Sequence, residues 1–281
     1  MKVMFEGKED DFSPSATELW QLGRIPRSPL PGTQRSYQWL HSDSEANYIE
    51  RGNKEFSPES ISYEFNSMGY RSDEFEEFGL APALMFVGCS NTLGIGVPWD
   101  ALWTTLVTQH FRRAWNMPIR QYNLAWSATG ADHVAMMVHQ CIDILKPVAV
   151  FVLWSYVNRL TWFETPRRRH HFLPNLTSST PGAEHRAFLR LSTTAQAFFN
   201  FVKNYNFVAW RLKAMGVPFF CGNLESFGVD TLIHYVPVES FAGRWSRLDV
   251  ARDNQHSGVR SHADFADKMI AAARNLQMPA A

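Results

Sequence analysis

Residues 83–87 and 148–154 are apolar at every position, from Ala83 to Val87 and from Val148 to Trp154. A strand with one wet face alternates polar and apolar residues, so an unbroken run of this length predicts a strand covered on both faces. Helical spacing fills the space between them. Leu102, Leu106 and Phe111 recur through 98–115, where Pro98 suits a first turn, and Val134, Met137, Val138, Cys141 and Leu145 share one face of 132–145. Two more strands are expected at 119–125 and 217–221, one long helix or two at 184–215 ending at Gly216, and an alanine-rich closing helix at 261–275. Strand and helix in alternation imply a mostly parallel sheet with helices on both faces, because right-handed crossovers deliver that arrangement. The expected class is α/β, a three-layer α/β/α sandwich.

The first 60 residues follow no such pattern. Pro14, Pro26, Pro29, Pro31 and Pro58 punctuate them, and the segment from Arg24 to Gly32 excludes a helix. Trp20, Tyr37, Trp39, Tyr48 and Phe56 recur there, which predicts an irregular arm packed on the main domain rather than a free tail. The division expected is an extension over 1–60 and an α/β domain over 61–281. Residues 61–65 alternate as a short edge strand would, and the chain turns at Gly69. Segments 160–183, with Arg167, Arg168, Arg169, His170 and His171, and 222–258 read as irregular.

Net charge is zero over 281 residues, which gives no electrostatic case for nucleic acid. It is unevenly spread: residues 1–80 hold 15 acidic against 8 basic residues, and the remainder 12 against 19. An acidic extension lying on a basic body and a solvated acidic leader both fit. Cys89, Cys141 and Cys221 have no paired spacing and sit in or beside apolar runs, so free thiols are expected. No run reaches the roughly 18 apolar residues of a membrane helix, and the N-terminus turns charged too soon for a signal peptide. The expectation is a soluble, cytoplasmic protein with no cofactor and no metal; adjacent His170 and His171 lack a partner at ligand spacing.

Chemistry collects where the first apolar run stops. Gly88 ends it and Ser90 follows, at the carboxyl end of a strand where open α/β sheets place ligands. The glycines at 88, 94 and 96 fit neither a phosphate loop nor the spacing of a nucleophile elbow. Near the other end of the chain, Asp253 and His256 stand three apart on a loop before the last helix. A serine nucleophile needs a base of near-neutral pKa, and that histidine needs a carboxylate to fix its tautomer, so Ser90, His256 and Asp253 form a candidate triad.

In its motifs the chain resembles the SGNH (GDSL-type) hydrolase family. That family opens with Gly-Asp-Ser-x-Thr-x-Gly, against Gly88, Cys89, Ser90, Asn91, Thr92, Leu93 and Gly94 here, and closes with Asp-x-x-His, against Asp253 to His256. The lead-in from Phe65 to Phe75 is also similar to a segment of some members. Cys89 replaces the family Asp, which orders the nucleophile loop and is not the triad acid. The resemblance implies the flavodoxin-like SGNH fold and an oxyanion hole made by the Ser90 N–H, a backbone N–H after Asn123, and the Asn158 side chain. Spacing from Asn123 puts the second donor on Ala128, whereas residue type puts it on Gly130. Arg159 stands where Asp is usual. Trp126, Trp154 and Trp162 flank these donors, and Trp126, Trp154 and Arg159 are candidate substrate contacts. The implied activity is a serine esterase acting through an acyl-enzyme on a carbohydrate O-acetyl ester or another small ester. Acyl transfer by the same residues and a non-catalytic module keeping the fold are the alternatives.

Overall fold

The computed structural model describes residues 2–5, 8–11, 23–28, 35–76, 82–163, 169–173, 182–225 and 229–278. Ahead of the main sheet lie a hairpin of β1 (Lys2–Phe5) and β2 (Lys8–Asp11), then β3 (Ser36–Tyr37), α1 (Glu45–Arg51) and β4 (Tyr63–Glu64). The central strands are β5 (Ala83–Gly88), β6 (Arg120–Asn123), β7 (Ala149–Trp154), β10 (Phe219–Asn223) and β11 (Phe241–Arg244). Between β7 and β10 runs a second hairpin, β8 (Leu160–Phe163) with β9 (Arg169–Phe172). The remaining helices are α2 (Ser90–Leu93), α3 (Trp103–Trp115), α4 (Ala131–Leu145), α5 (Ala183–Leu191), α6 (Thr194–Ala214), α7 (Val229–Leu232) and α8 (Val259–Ala272).

The central strands are parallel in the spatial order β6-β5-β7-β10-β11. Counted within this sheet, that is 2-1-3-4-5, the flavodoxin-like order, and its reversal point lies where β5 separates β6 from β7. Strand residues split cleanly between faces. Met85, Val87, Val150 and Val152 join α4 and α6 in one core, while Leu84, Phe86, Phe151 and Leu153 join α3 and α8 in the other. The three-layer α/β/α expectation holds.

Several local expectations shift. Pro98 opens not α3 but a 3-10 turn over Trp99–Ala101; Leu102 is then extended, and the α-helix starts at Trp103. The stretch 184–215 is two helices. Thr193 breaks it by capping α6, its side chain accepting from the Gln196 N–H. Residues 160–183 and 222–258 are not simply irregular, since they contain the β8–β9 hairpin and the fifth strand β11. Neither has a long apolar run, because β8–β9 lies outside the main sheet and β11 is an edge strand paired only with β10. Arg167, Arg168, Pro174 and Pro181 lie outside the described residues.

The arm is less irregular than its prolines suggest. Ser44 caps α1 by accepting from the Asn47 N–H, and β3 pairs antiparallel with β4 across the expected 60/61 division. Residues 61–65 therefore border the arm rather than the main sheet. Leu40 of the arm packs with Ile61, Tyr63 and Phe65 against Leu93, Ile95 and Ala125, the residues behind the Ser90 turn. Trp20, Pro14, Pro29 and Pro31 lie outside the described residues.

Candidate active site

Ser90 is the first residue of α2, two residues beyond the end of β5 and at the reversal point of the strand order. The turn there is tight. A Cβ on Gly88 would meet Thr92 Oγ1 at 2.2 Å and the Leu153 carbonyl oxygen at 2.9 Å, so only glycine fits. Gly94 and Gly96 take positive φ of 82° and 73° to turn the chain away again. Cys89 is buried beside Ser90, and all three cysteines are free. The Cys221 thiol is pushed up to about 12, chiefly by burial, which makes it inert at neutral pH.

Three buried groups hold this turn from outside. Arg71 donates to the carbonyls of Gly94 at 2.6 Å and Val97 at 3.0 Å, and to Leu93 at 3.3 Å. Asn123, at the end of β6, donates to the Thr92 carbonyl and accepts from the Ala125 N–H. The Tyr63 hydroxyl accepts from the Gly96 N–H at 2.7 Å and donates to Asp43. Burial, then the Asp43 charge, pushes that phenol far up, so it stays a neutral donor.

Asp253 and His256 meet as the spacing predicts. His256 Nδ1 lies 2.6 Å from Asp253 Oδ2; the aspartate side chain is wholly buried and that of the histidine is 21% exposed. Asp253 Oδ1 accepts from the N–H groups of Gln255 and His256 at 3.0 and 2.9 Å. Oδ2 also accepts from Ser42 Oγ at 2.7 Å, a residue of the arm. Burial alone raises a carboxyl pKa, but the hydrogen bond and charge of His256, its N–H and the Ser42 hydroxyl outweigh it and hold Asp253 down to about 2. An ionised Asp253 can only accept a hydrogen bond, so Nδ1 of a neutral His256 carries the proton and Nε2 is left as the basic nitrogen.

The loop carrying this pair is tied directly to the serine turn. The Arg252 N–H donates to the Gly96 carbonyl at 2.9 Å. No hydrogen bond joins Ser90 Oγ to the His256 ring among the described residues, so the structure brings the serine turn and the Asp–His pair together without closing the last contact.

The expected oxyanion residues fare differently. Ala128 sits at φ 63°, in the left-handed region, and its N–H makes no hydrogen bond among the described residues. Gly130 donates its N–H to Thr161 Oγ1 at 3.0 Å, and a Cβ there would meet the Arg159 carbonyl oxygen at 2.4 Å. Gly130 is therefore required by close packing, and its donor is already engaged. Asn158 is exposed in the turn after β7. With Arg159 it lines a cavity of about 590 Å³ walled by Leu160, Trp162, Phe172 and Phe188. The Arg159 guanidinium lies over the Tyr156 ring, 5.0 Å from its centroid.

Of the aromatic candidates, Trp126 donates its backbone N–H to the Gly88 carbonyl, and its ring meets the His41 ring edge-on at 5.6 Å, beside the serine turn. Trp154 is a correction: it is fully buried and stacked on Tyr205, a core residue with no access to a ligand. Trp162 is 56% exposed. His171 contacts Thr161 Oγ1, and among the described residues no cluster of His, Cys, Asp and Glu has the makings of a metal site. No described helix is long and apolar enough to cross a membrane.

Sequence reasoning missed Ser42, Asp43, Tyr63 and Arg71. Arg71 sat inside the lead-in that resembles family members, but its role needed the fold. Ser42 and Asp43 carry no local signal, since their partners lie more than 200 residues away.

No family model matches the chain, and no curated protein matches it in sequence. Among solved structures it is similar to the crystal structure of TesA, with 13% identity and a TM-score of 0.44 over 69% of this chain and 99% of that one. The psychrotrophic esterase EstA from Pseudoalteromonas sp. gives 12% identity and a TM-score of 0.41 over 69% and 98%. A family 3 carbohydrate esterase of Clostridium thermocellum gives 12% and 0.40 over 69% and 96%. Likeness at this level is weak, and what the site does chemically has to come from its own residues.

Proposed function

We propose that the chain is a serine ester hydrolase in which Ser90 is the nucleophile, His256 the base and Asp253 the residue that orients the base. The Asp253 carboxylate carries this reading. It is wholly buried, ionised and bonded to Nδ1 of a partly exposed histidine, on a loop anchored to the serine turn. A buried anion committed to one imidazole nitrogen prepares the other for proton transfer.

In the proposed reaction Ser90 Oγ attacks the ester carbonyl carbon while His256 Nε2 takes the hydroxyl proton. Negative charge develops on the carbonyl oxygen and is met by the N–H groups of Ser90 and Ala128 and the side-chain amide of Asn158. The Ser90 N–H is the first of a helix and has no acceptor within it. The tetrahedral intermediate collapses, the alkoxide leaves with the proton from His256, and an ester to Ser90 remains. Water then attacks that acyl-enzyme as His256 accepts its proton; the acid departs and Ser90 regains its hydrogen. The Ser90–His256 contact closes in the complex with substrate, as catalytic hydrogen bonds commonly do.

The substrate class proposed is a small-molecule or carbohydrate ester, an O-acetylated sugar first. Its supports are the cavity beside Asn158 and the exposed Trp162 ring on its wall, a surface suited to stacking. The test is labelling with a fluorophosphonate probe, followed by peptide mass mapping, on wild type, Ser90→Ala and His256→Ala. The expected result is one label on Ser90, absent from Ser90→Ala and slowed in His256→Ala. Label that persists on Ser90→Ala, or wild type that takes none, overturns the reading.

A further inference from the structure

Ser42 belongs to a part of the chain whose sequence reads as an appendage, yet its hydroxyl lies 2.7 Å from Asp253 Oδ2 and 3.4 Å from His256 Nδ1. The longer contact is marginal, so the hydroxyl hydrogen belongs to the carboxylate. Asp253 then has four donors: two backbone N–H groups on Oδ1, and Ser42 with His256 on Oδ2. The backbone pair fixes where the carboxylate sits. Among the described residues, Ser42 is the one side chain besides His256 that holds Oδ2, the oxygen facing the imidazole.

Ser42 is itself held firmly. The Asn47 amide donates to its carbonyl, and its neighbour Asp43 is clamped to Arg252, the residue just before Asp253. A hydroxyl placed by chance on a mobile arm would lack these supports.

We propose that Ser42 is a positioning residue of this site: its hydroxyl fixes the Asp253 carboxylate and, through it, the orientation and tautomer of His256, so that the arm completes the Asp–His pair. This rests on reading Asp253 and His256 as the orienting acid and the base of the reaction. Without Ser42, Oδ2 keeps only the imidazole as a donor. The carboxylate becomes more basic and freer to rotate, and it stabilises the imidazolium more strongly while aiming the ring less well. The expected signature is a lower rate together with a higher pKa for His256 in the free enzyme.

The experiment compares wild type, Ser42→Ala and Ser42→Thr in the full chain, with melting temperatures showing that each is folded. Hydrolysis of p-nitrophenyl acetate is followed across pH, and the Nδ1 proton of His256 is followed by NMR. Ser42→Ala is expected to lose about tenfold in kcat/KM, mostly in kcat, the size of one charge-assisted hydrogen bond. Its acidic limb moves to higher pH, because a more basic carboxylate keeps His256 protonated further up. The other charged or titratable groups near the pair, His41 and Asp43 of the arm, Arg252 of the loop and His262 of α8, are unchanged in both variants. Ser42→Thr, which keeps the hydroxyl, restores rate and limb. A Ser42→Ala protein with the wild-type rate and limb overturns the proposal, as does a folded Ser42→Thr that behaves like the alanine variant. If wild type hydrolyses no ester, the NMR signal still decides. A displaced His256 resonance in Ser42→Ala keeps the positioning role and removes only the esterase reading; an unmoved one removes the positioning role.

Discussion

Arg252 and Asp43 face each other with both side chains wholly out of water, Nη2 lying 2.7 Å from Oδ2. Asp43 follows Ser42 in the chain and Arg252 precedes Asp253, so the ion pair and the Ser42–Asp253 hydrogen bond are consecutive rungs between two segments over 200 residues apart. Arg252 also donates to the carbonyls of Pro58 and Gln38, both at 2.6 Å, and lies over the Trp39 ring. Desolvating two charges costs much of what their attraction returns, so such a pair specifies position more than it adds stability. Here the position specified is that of the arm against the Asp253 loop.

Removing one partner is a different matter, because the other charge stays buried. Asp43→Ala is expected to lower the unfolding free energy by about 3–5 kcal/mol. Urea titration measures it. Changing both residues, Asp43→Leu with Arg252→Met, should recover part of the loss, since neither charge is then stranded. A loss below about 1 kcal/mol for the single variant would show that Arg252 reaches water and that the arm is loosely held.

Asn158 tests the proposed oxyanion site from the side-chain end. Asn158→Ala removes an amide from an exposed turn and should leave the fold intact, with a melting temperature near wild type. Loss of one oxyanion donor typically costs about 10²–10³ in kcat. The expected pattern on p-nitrophenyl acetate is therefore a fall of that order in kcat with KM little changed. A raised KM at unchanged kcat would make Asn158 a wall of the cavity it lines instead of a donor to the transition state.

His262 gives the chain an acid sensitivity separate from its chemistry. Its Nδ1 accepts from the Trp103 N–H at 3.1 Å inside the core, and burial first, then the Arg71 charge, holds its pKa down to about 3 from 6.5. The unfolded chain binds this proton below pH 6.5, whereas the folded chain binds it only below about 3. Stability is thus fully present above the unfolded value and falls as pH drops through the window, by about 1.4 kcal/mol for each pH unit from this group alone. His262→Asn keeps an acceptor for Trp103 and cannot titrate. Urea midpoints measured from pH 7 to pH 4 should slope less steeply in that variant, and equal slopes would refute the assignment.

The sheet was legible because its central strands are apolar on both faces, as Leu84 to Val87 and Val150 to Leu153 show. The edge strand β11 was not, since Phe241 to Arg244 needs only one partner and carries no long apolar run. For the site, Asp253 and His256 were readable because they are three apart and bond locally. Ser42, Asp43 and Arg71 act across 20 to more than 200 residues, on turns whose proximity only the folded sheet creates. Trp154 misled for a related reason: one residue at the end of a buried strand faces the core, the next faces the site, and spacing alone does not say which.

The separate parts given to Ala128 and Gly130, a backbone donor and a close-packed turn residue, are tested by exchanging their residue types one at a time. Ala128 holds a left-handed conformation at φ 63°, which costs a residue with a Cβ about 1 kcal/mol relative to glycine. Ala128→Gly keeps the N–H and removes that strain, so a small gain in stability, up to about 1 kcal/mol, and an unchanged kcat are expected. Gly130→Ala does the opposite. Its new Cβ falls 2.4 Å from the Arg159 carbonyl oxygen, and backbone cannot swing aside as a flexible side chain does. The turn that carries Asn158 must move, at a cost of about 1–3 kcal/mol for an overpacked contact. Melting temperature and kcat should both fall in Gly130→Ala, although the N–H of residue 130 is retained. If Ala128→Gly loses rate while staying folded, the fixed left-handed backbone at 128 matters to the reaction, and the donor there depends on that rigidity. If instead Gly130→Ala keeps full stability and rate, the close approach of Gly130 to Arg159 is not what sets the position of Asn158.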